Sequence, residues 1–436
     1  MNAQTALPQG MRVPQFASSH LPAMATSGLR PAPRRPGVNR RRFLRAVAGS
    51  AGVLALHPAA AIPPPAVKRA AGPTDADAKL RELIDAHRPS RLARLPPQFN
   101  ARVGAAHVDG KYCLSEQPFL LEGAEKLLTL GTRLGKFWFM PDGVAKDYPF
   151  HSDWGRYTSP LELAHSEYFQ KLFALPFSTF ILEAPLPANN LTQITQDFYE
   201  LAVYLYDLFR DRRVTIIIQH WEGDWLLRGR GGETWNPPPA DWRPRCQRMT
   251  EQLAARQAGI ATARAAHGQG AQCRVAHAAE VNRVADLWKG IPTMTEHVLP
   301  GVELDLVSYS SYDGLKDGVT LWKCIAEIKK HARTTGLFGP NPVYVGEIGL
   351  PENEQPQRVG ERWDEWFGAL LAADVPYVAM WELYCNEFNP KRNPRPPAPV
   401  KNPNEVRGFW LVRPDGSLSP TGKFFHDLWQ RAATEK

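Results

Sequence analysis

The sequence predicts an α/β fold of the (β/α)8 TIM-barrel type with enlarged βα loops. Eight short apolar strand candidates alternate with stretches whose apolar residues recur at helical spacing, as in Leu201, Leu205 and Leu208. The strands at 214–219 and 343–347 are β-branched runs without polar alternation, which is typical of strands buried on both faces. A doubly wound open sheet would need a glycine-rich phosphate loop after its first strand, and the sequence has none there.

The strand and helix candidates follow one another along the whole chain after residue 100. The predicted strands are 101–107, 136–140, 179–183, 214–219, 273–278, 304–308, 343–347 and 377–381. The predicted helices are 116–130, 161–174, 191–210, 246–266, 321–334 and 358–373, with a final helix at 421–432 after a short strand and turn at 409–416. This alternation fits a barrel of eight strand-helix units.

The first 61 residues resemble a twin-arginine export signal. Arg40, Arg41 and Arg42 precede a small, apolar stretch at 46–56 and an A-x-A-like cleavage site near Ala61. The apolar stretch is too short to span a bilayer. We therefore expect a leader at 1–61, a disordered Pro/Ala linker at 62–75 and a catalytic barrel at 76–436. The leader would engage the twin-arginine export machinery and deliver the protein to the periplasm or the medium.

Charge and cysteine content exclude several other classes. Residues 1–61 hold eight Arg and no Lys, Asp or Glu, which leaves 44 basic residues against 44 acidic ones in the remainder. A formally neutral mature chain does not predict a nucleic-acid partner, and no later apolar run is long enough to span a membrane. The five cysteines have no CxxC or metal-ligand spacing, and their odd number leaves at least one free thiol. A substrate of twin-arginine export usually folds before it crosses, so obligatory disulfides are not expected and we assign no bridge.

Acids and aromatic residues follow the predicted strands where each strand ends. They are His220, Trp221, Glu222, Asp224 and Trp225 after strand four, His277 and Glu280 at strand five, Tyr309 and Tyr312 after strand six, Glu347 at strand seven, and Trp381 and Glu382 after strand eight. The C-terminal ends of barrel strands meet at one mouth. Sugars have apolar faces bounded by hydroxyls, so aromatic platforms beside carboxylates predict a carbohydrate site.

A glutamate after strand four, a tyrosine after strand six, a glutamate at strand seven and a tryptophan after strand eight resemble the retaining (β/α)8 glycoside hydrolases of the four/seven type, clan A. The resemblance implies that Glu222 is the general acid/base, that Glu347 is the nucleophile and that no cofactor takes part. That family usually has Asn directly before the acid/base, whereas this chain has Trp221. The chain therefore resembles a divergent family, in which Gln219 or His220 would supply the missing hydrogen bond to the sugar.

This chemistry requires two different carboxyl environments. Trp221 and Trp225 would desolvate Glu222 and raise its pKa, while a hydroxyl donor such as Tyr309 would favour the charged form of Glu347. Retention of configuration requires the two carboxyl groups to lie about 5–5.5 Å apart.

Two other classes of function stay open from the sequence. His220, Glu222 and Asp224, with His277, Glu280 and Glu347, offer ligands for a divalent ion in a metal-dependent isomerase or phosphoesterase, although Gly223 would interrupt their geometry. A barrel that binds glycans without hydrolysing them would carry the same aromatic residues. The loops 228–244 and 386–406 are expected to wall the cleft, with Arg228 and Arg230 either meeting an acidic sugar or lying in solvent.

Overall fold

The structure is a computed structural model that describes residues 75–186, 190–229, 235–392 and 394–435. The predicted export signal, nearly all of the predicted linker and Arg230 lie outside the described residues. The first described helix begins at Asp75.

Eight parallel strands close into a barrel, which confirms the predicted fold class. The strands are β1 (Val103–His107), β2 (Leu134–Trp138), β3 (Thr179–Glu183), β4 (Thr215–Gln219), β5 (Arg274–Val281), β6 (Leu306–Ser310), β7 (Val343–Ile348) and β8 (Val378–Met380). Each strand pairs with its neighbours in chain order, and β1 pairs with β8 to close the sheet. All eight overlap the predicted strands. Two further short strands, Glu303–Leu304 and Arg333–Thr334, pair with each other outside the barrel.

Helices connect the strands. They are α1 (Asp75–Ala86), α2 (Phe99–Arg102), α3 (Phe119–Leu130), α4 (Val144–Asp147), α5 (Pro160–Ala164), α6 (Glu167–Ala174), α7 (Leu191–Leu208), α8 (Gly223–Leu227), α9 (Trp242–His267), α10 (Met294–His297), α11 (Gly318–His331), α12 (Val359–Ala372) and α13 (Pro420–Thr434). Short 3-10 turns lie at Val284–Lys289, Leu299–Gly301, Tyr312–Gly314 and Pro403–Glu405.

Two local predictions were wrong. The single helix expected at 161–174 is divided into α5 and α6, because the Ser166 side chain accepts a hydrogen bond from the Phe169 N–H and starts a new helix. The strand expected near 409–416 is reduced to one antiparallel bridge between Val412 and Leu418. The turn that joins them is stabilised by Ser417, which donates to the Asp415 carboxylate.

The barrel wall is apolar where the sequence is β-branched or aromatic. Ile216, Ile217 and Ile218 of β4 are fully buried, and so are the apolar residues of β3. Burying one such side chain contributes roughly 1.5–3 kcal/mol, so the strands hold one another in a fixed register. That register brings the residues after each strand to one mouth. Among the described helices, none has the length and hydropathy needed to cross a bilayer.

Candidate active site

A cleft of about 580 Å³ lies at the C-terminal ends of the strands. It is lined by Glu222 and Glu347, by the aromatic residues Trp138, Trp221, Trp225, Tyr312, Trp381 and Phe409, and by polar residues that include Asp109, Asp147, Asn386, Glu387 and Arg407. The loop 386–406 thus contributes to the wall, as predicted. The cleft combines two carboxyl groups with aromatic surfaces on several sides.

Glu222 lies just after β4, directly before helix α8. Its backbone N–H donates to Glu280 Oε1 (3.1 Å), and its side-chain Oε1 accepts from the Ser310 hydroxyl (2.7 Å). The side chain is buried, which raises the pKa of Glu222 to about 8. The Ser310 hydrogen bond acts in the opposite direction, and the nearby Glu280 carboxyl adds to the increase. Burial therefore favours the protonated form of Glu222.

Glu347 lies near the C-terminal end of β7. Its Oε1 accepts from the Tyr312 hydroxyl (3.2 Å), and its Oε2 lies 3.5 Å from Lys136 Nζ. Burial raises the pKa of Glu347 well above its usual range, the Lys136 ammonium opposes this, and Glu222 contributes to it. The two glutamates compete for a proton, and the adjacent cation favours the charged form of Glu347.

Ser310 connects the two glutamates. In the pairing of β6 with β7, Ser310 lies opposite Glu347, while its hydroxyl donates to Glu222. Tyr312, two residues further along, donates to Glu347. The segment that leaves β6 therefore holds both carboxyl groups at the floor of one cleft.

A buried charge cluster lies beneath the cleft inside the barrel. The Lys136 ammonium is 3.0 Å from Glu183 Oε2 and 3.5 Å from Glu280 Oε2, and it donates to the Gly346 carbonyl (3.1 Å). Burial alone would lower the pKa of Lys136, but Glu183, Glu280 and Glu347 outweigh it and hold the pKa well above its usual value. Burial raises the pKa of Glu183 to about 7, with Lys136 opposing that change.

Hydrogen bonds complete this cluster. Gln219 donates to Glu183 (2.9 Å) and Glu280 (2.8 Å), and Ser308 donates to Glu280 (2.7 Å). Glu280 thus connects Lys136 with the Glu222 backbone. Lys136 was not among the residues predicted for the site. The sequence feature that could have identified it is a lysine within an apolar strand. A strand buried on both faces also buries its lysine, and a buried lysine requires a carboxylate partner.

Of the residues predicted to contact substrate, Trp221, Trp225, Tyr312 and Trp381 line the cleft. The Trp381 ring lies 5.3 Å from that of Trp138, a platform that the sequence analysis missed although Trp138 lies within the second predicted strand. On the other side, the Arg283 guanidinium covers the Trp225 ring at 5.2 Å.

Both predicted histidines are buried away from the cleft, which corrects their assignment. His220 Nδ1 contacts the Trp221 carbonyl (3.0 Å), its Nε2 accepts from the Glu280 N–H (3.2 Å), and burial lowers its pKa to about 4. His277 Nδ1 faces Gln257 Oε1 (3.1 Å), and burial lowers its pKa well below the usual value. Because Gln219 is also engaged within the cluster, neither candidate for the missing asparagine reaches the cleft.

Asp224, Glu382 and Tyr309 are also buried outside the cleft lining. Asp224 accepts backbone N–H groups of Met294 (2.7 Å) and Asn282 (3.1 Å), so it joins two loops. Glu382 Oε1 accepts the Asn386 N–H (2.8 Å), and burial raises its pKa well above the usual range. Tyr309 donates to Asp313 (2.6 Å), so the hydroxyl donor to Glu347 is Tyr312 instead.

Arg228 neither lines the cleft nor lies in solvent, so both predictions for this residue were wrong. It is buried, pairs with Asp286 (2.8 Å) and donates to the Pro292 carbonyl (2.9 Å). Trp235 is buried beneath it, with the guanidinium 5.4 Å from the ring centre. Trp242 packs on His297 instead of entering the cleft.

Of the six residues considered as metal ligands, Asp224 and His277 bond to partners outside the network that His220, Glu222, Glu280 and Glu347 share. Within the ranges that the structure describes, no group of three or more His, Cys, Asp or Glu side chains is arranged to hold a metal ion. His220 and His277 direct their Nδ1 atoms at protein acceptors, and Asp224 accepts backbone N–H groups. The arrangement supports acid–base and nucleophilic chemistry by Glu222 and Glu347.

Comparison with known proteins gives no match to a family model or to a curated protein. Solved structures resemble the chain at low identity. A GH5 xyloglucan-specific endo-β-1,4-glucanase from a metagenomic library is 10% identical with a TM-score of 0.45, and the match covers 82% of this chain and 99% of that one. An endo-1,4-β-D-mannanase from Thermotoga petrophila is 13% identical with a TM-score of 0.42, covering 76% and 99%.

A third structure, β-glucuronidase 2 of Bacteroides uniformis, is 10% identical with a TM-score of 0.44. The match covers 76% of this chain and 35% of that protein, so the chain spans about a third of its length. The identities are 10–13% and the TM-scores lie between 0.42 and 0.45, so the chemistry of the site rests on this chain's own residues.

Proposed function

We propose that the protein is a retaining glycoside hydrolase that cleaves a polysaccharide or oligosaccharide without a cofactor. The observation that carries the proposal is the pair of buried glutamates held at one cleft floor by Ser310 and Tyr312. Trp138, Trp221, Trp225 and Trp381 provide apolar surfaces for sugar rings around this pair.

In the first step, a Glu347 oxygen forms a bond with the anomeric carbon while the glycosidic C–O bond breaks. Glu222, held protonated by burial, gives its proton to the leaving oxygen. In the second step, Glu222 takes a proton from a water molecule whose oxygen attacks the same carbon and releases the Glu347 carboxylate. Two displacements at one carbon retain its configuration.

We also propose a short distance between the carboxyl groups of Glu222 and Glu347. A retaining mechanism places them about 5–5.5 Å apart, because no water has to fit between Glu347 and the sugar. We also propose that residues 1–61 direct the protein through twin-arginine export, so that it acts in the periplasm or outside the cell.

A screen of aryl glycosides and glycans tests the proposal. We expect Glu222→Gln and Glu347→Gln to lower kcat by roughly 10²–10⁴-fold, while Glu125→Gln, the same change at an exposed site on α3, leaves it unaltered. Azide should restore turnover of Glu347→Ala and give a glycosyl azide of inverted configuration. With Glu222→Ala, the azide product should keep the substrate's configuration.

Each contrary result has a definite meaning. Full activity in either glutamine variant would remove that residue from its role. Binding of glycans without turnover of any substrate would identify a non-catalytic glycan-binding barrel instead. Activity that is lost on chelation and restored by a divalent ion would favour the metal-dependent alternative.

A further inference from the structure

A second cavity lies at the opposite end of the barrel and is not used by the proposed mechanism. It has a volume of about 1420 Å³, compared with about 580 Å³ for the cleft. It is bounded by the N-terminal ends of β3, β4 and β5, by residues that precede β1, β2 and β8, and by the end of α13. This face is remote from Glu222 and Glu347, which follow the opposite strand ends.

The charge of this cavity is strongly unbalanced. Its described lining contains five arginines, Arg94, Arg102, Arg133, Arg213 and Arg274, and one acidic residue, Glu435. Among the residues that the structure describes, no lysine, histidine or aspartate belongs to this lining. Since the chain after residue 61 is formally neutral, this positive charge is a local property of the cavity.

Two of the arginines are anchored by backbone carbonyls. Arg102 donates to the carbonyls of Pro376 (3.0 Å) and Val375 (2.9 Å), and Arg133 donates to those of Thr132 (2.8 Å) and Leu128 (3.2 Å). These bonds hold the two guanidinium groups in place at the strand ends. Arg102 also lies 3.9 Å from the exposed Asp374 carboxylate, just outside the cavity lining.

Arg213 and Arg274 are exposed and lie on neighbouring strand ends. Arg274 pairs with Thr215 in the β4–β5 register, two residues after Arg213. Among the described residues no carboxylate pairs with either arginine, and the Arg274 guanidinium lies 6.0 Å from the centre of the Phe338 ring. Glu435 already accepts from the Leu95 N–H (2.7 Å) and from Arg431 (2.6 Å). The guanidinium groups of Arg213 and Arg274 are therefore available to an anion.

We propose that this cavity binds a ligand that carries several oxyanion groups, either phosphate, sulfate or carboxylate. Guanidinium groups bind such groups bidentately, and five guanidiniums that line one concave site with a single carboxylate attract a polyanion more strongly than a single ion. The concave surface requires a ligand that enters it, which a flat bilayer surface does not do. The site does not depend on the proposed hydrolysis.

Calorimetric titration with sodium tripolyphosphate at low ionic strength tests the proposal. We expect the wild-type protein to bind this probe more tightly than inorganic phosphate. The double variant R213Q/R274Q should bind it at least about 10-fold more weakly, as expected for the loss of two charge-assisted contacts. The control R81Q/R248Q removes the same formal charge at exposed positions outside the cavity and should bind the probe like the wild type.

Equal weakening in both double variants would overturn the proposal, because it would show that only overall charge matters. Absence of tripolyphosphate binding would also overturn it, and binding only to vesicles of anionic phospholipid would assign the surface to a membrane. Circular dichroism of each variant establishes that it folds. Hydrolysis in the cleft should be the same in all of them, so failure of this proposal is separable from failure of the proposed function.

Discussion

Glu222 defines the alkaline limit of the proposed reaction at the scale of single residues. Burial raises its pKa to about 8, and the acid form is needed to protonate the leaving oxygen. We therefore expect kcat/KM to fall as pH rises through about 8. A pH–rate profile with a good leaving group, which needs little protonation, should show a weaker alkaline decrease. A flat profile up to pH 10 with a poor leaving group would contradict this role.

Lys136 is expected to set the pH at which activity is lost on the acidic side of the pH–rate profile, which we call the acidic limb. Its ammonium favours ionised Glu347, so the substitution Lys136→Met should raise the pKa of Glu347 and move the acidic limb to higher pH, by roughly one to three units. The change also leaves Glu183 and Glu280 without their cation and should cost roughly 3–5 kcal/mol in the free energy of unfolding.

The double variant K136M/E183Q separates the two effects. It removes the cation together with one of its carboxylate partners, so we expect part of the lost stability to return. The acidic limb should stay displaced, since Glu347 still lacks its neighbouring charge. The measurements are pH–rate profiles and chemical denaturation curves of both variants. An acidic limb at the wild-type position would show that Lys136 is structural only.

The positions of individual side chains were the least predictable part of the site. Glu222 and Glu347 were expected at the barrel mouth because each lies at the end of a clear apolar strand, and both line the cleft. Beyond a strand end the two-residue alternation stops, so the sequence does not determine which side chains turn inward. His220 and Asp224 therefore accompany Glu222 in sequence but do not line the cleft, since His220 bonds to the Glu280 backbone and Asp224 to the Asn282 backbone. To predict that Lys136 belongs to the site, one would have to know which strands face each other across the barrel.

At the scale of elements, the contact between α7 and α9 depends on Gly259. A Cβ at this position would lie 2.4 Å from the Thr195 carbonyl oxygen and 3.0 Å from the Tyr199 nitrogen, both backbone atoms that cannot turn aside. We expect Gly259→Ala to force the helices apart and to lower the free energy of unfolding by roughly 1–3 kcal/mol.

Gly360 provides the matched control for that substitution. It also lies in a helix, α12, but a Cβ there would meet no atom within 4 Å. Gly360→Ala should be neutral or stabilising by up to about 1 kcal/mol, because alanine favours the helix. Urea denaturation of both variants checks the pair. Equal effects would show that helix propensity, and not the close approach of α7, decides the outcome.

The order and type of the elements could be predicted because apolar patterns are local. β-branched runs identified β4 and β7, and helical spacing identified α7 and α9. The boundary at Ser166 and the short helix α8 were missed, since a single side-chain cap or one turn of helix leaves little periodicity. Helix α8 is nevertheless next to the site, since Glu222 immediately precedes it.

At the scale of the whole molecule, closure of the sheet brings residues distant in sequence into one buried network. Lys136, Glu280 and Glu347 come from β2, β5 and β7 and meet inside the barrel. Titration of such buried groups makes the stability of the fold depend on pH. Carboxyl groups with raised pKa values, such as Glu222, contribute stability that is lost as pH rises. Buried histidines act in the opposite direction.

His107 isolates the histidine contribution. It is fully buried on β1 among Phe119, Tyr148 and Tyr384, its Nε2 donates to the Phe119 carbonyl (2.7 Å), and burial lowers its pKa to about 4. Below about pH 6.5 the unfolded chain gains a proton at this residue and the folded chain does not. The resulting stability is present above pH 6.5 and decreases as pH falls toward 4.

The substitution His107→Gln removes this titration and keeps an amide that can donate to the same carbonyl. Loss of the ring's packing lowers stability by an amount that does not depend on pH. Between pH 7.5 and pH 5 we expect the wild type to lose about 2 kcal/mol more than the variant, because protonation at residue 107 favours only the unfolded wild-type chain. Denaturation curves at pH 7.5, 6 and 5 measure the difference. A constant gap between the two proteins would mean that His107 takes up its proton in the folded state as readily as in the unfolded chain.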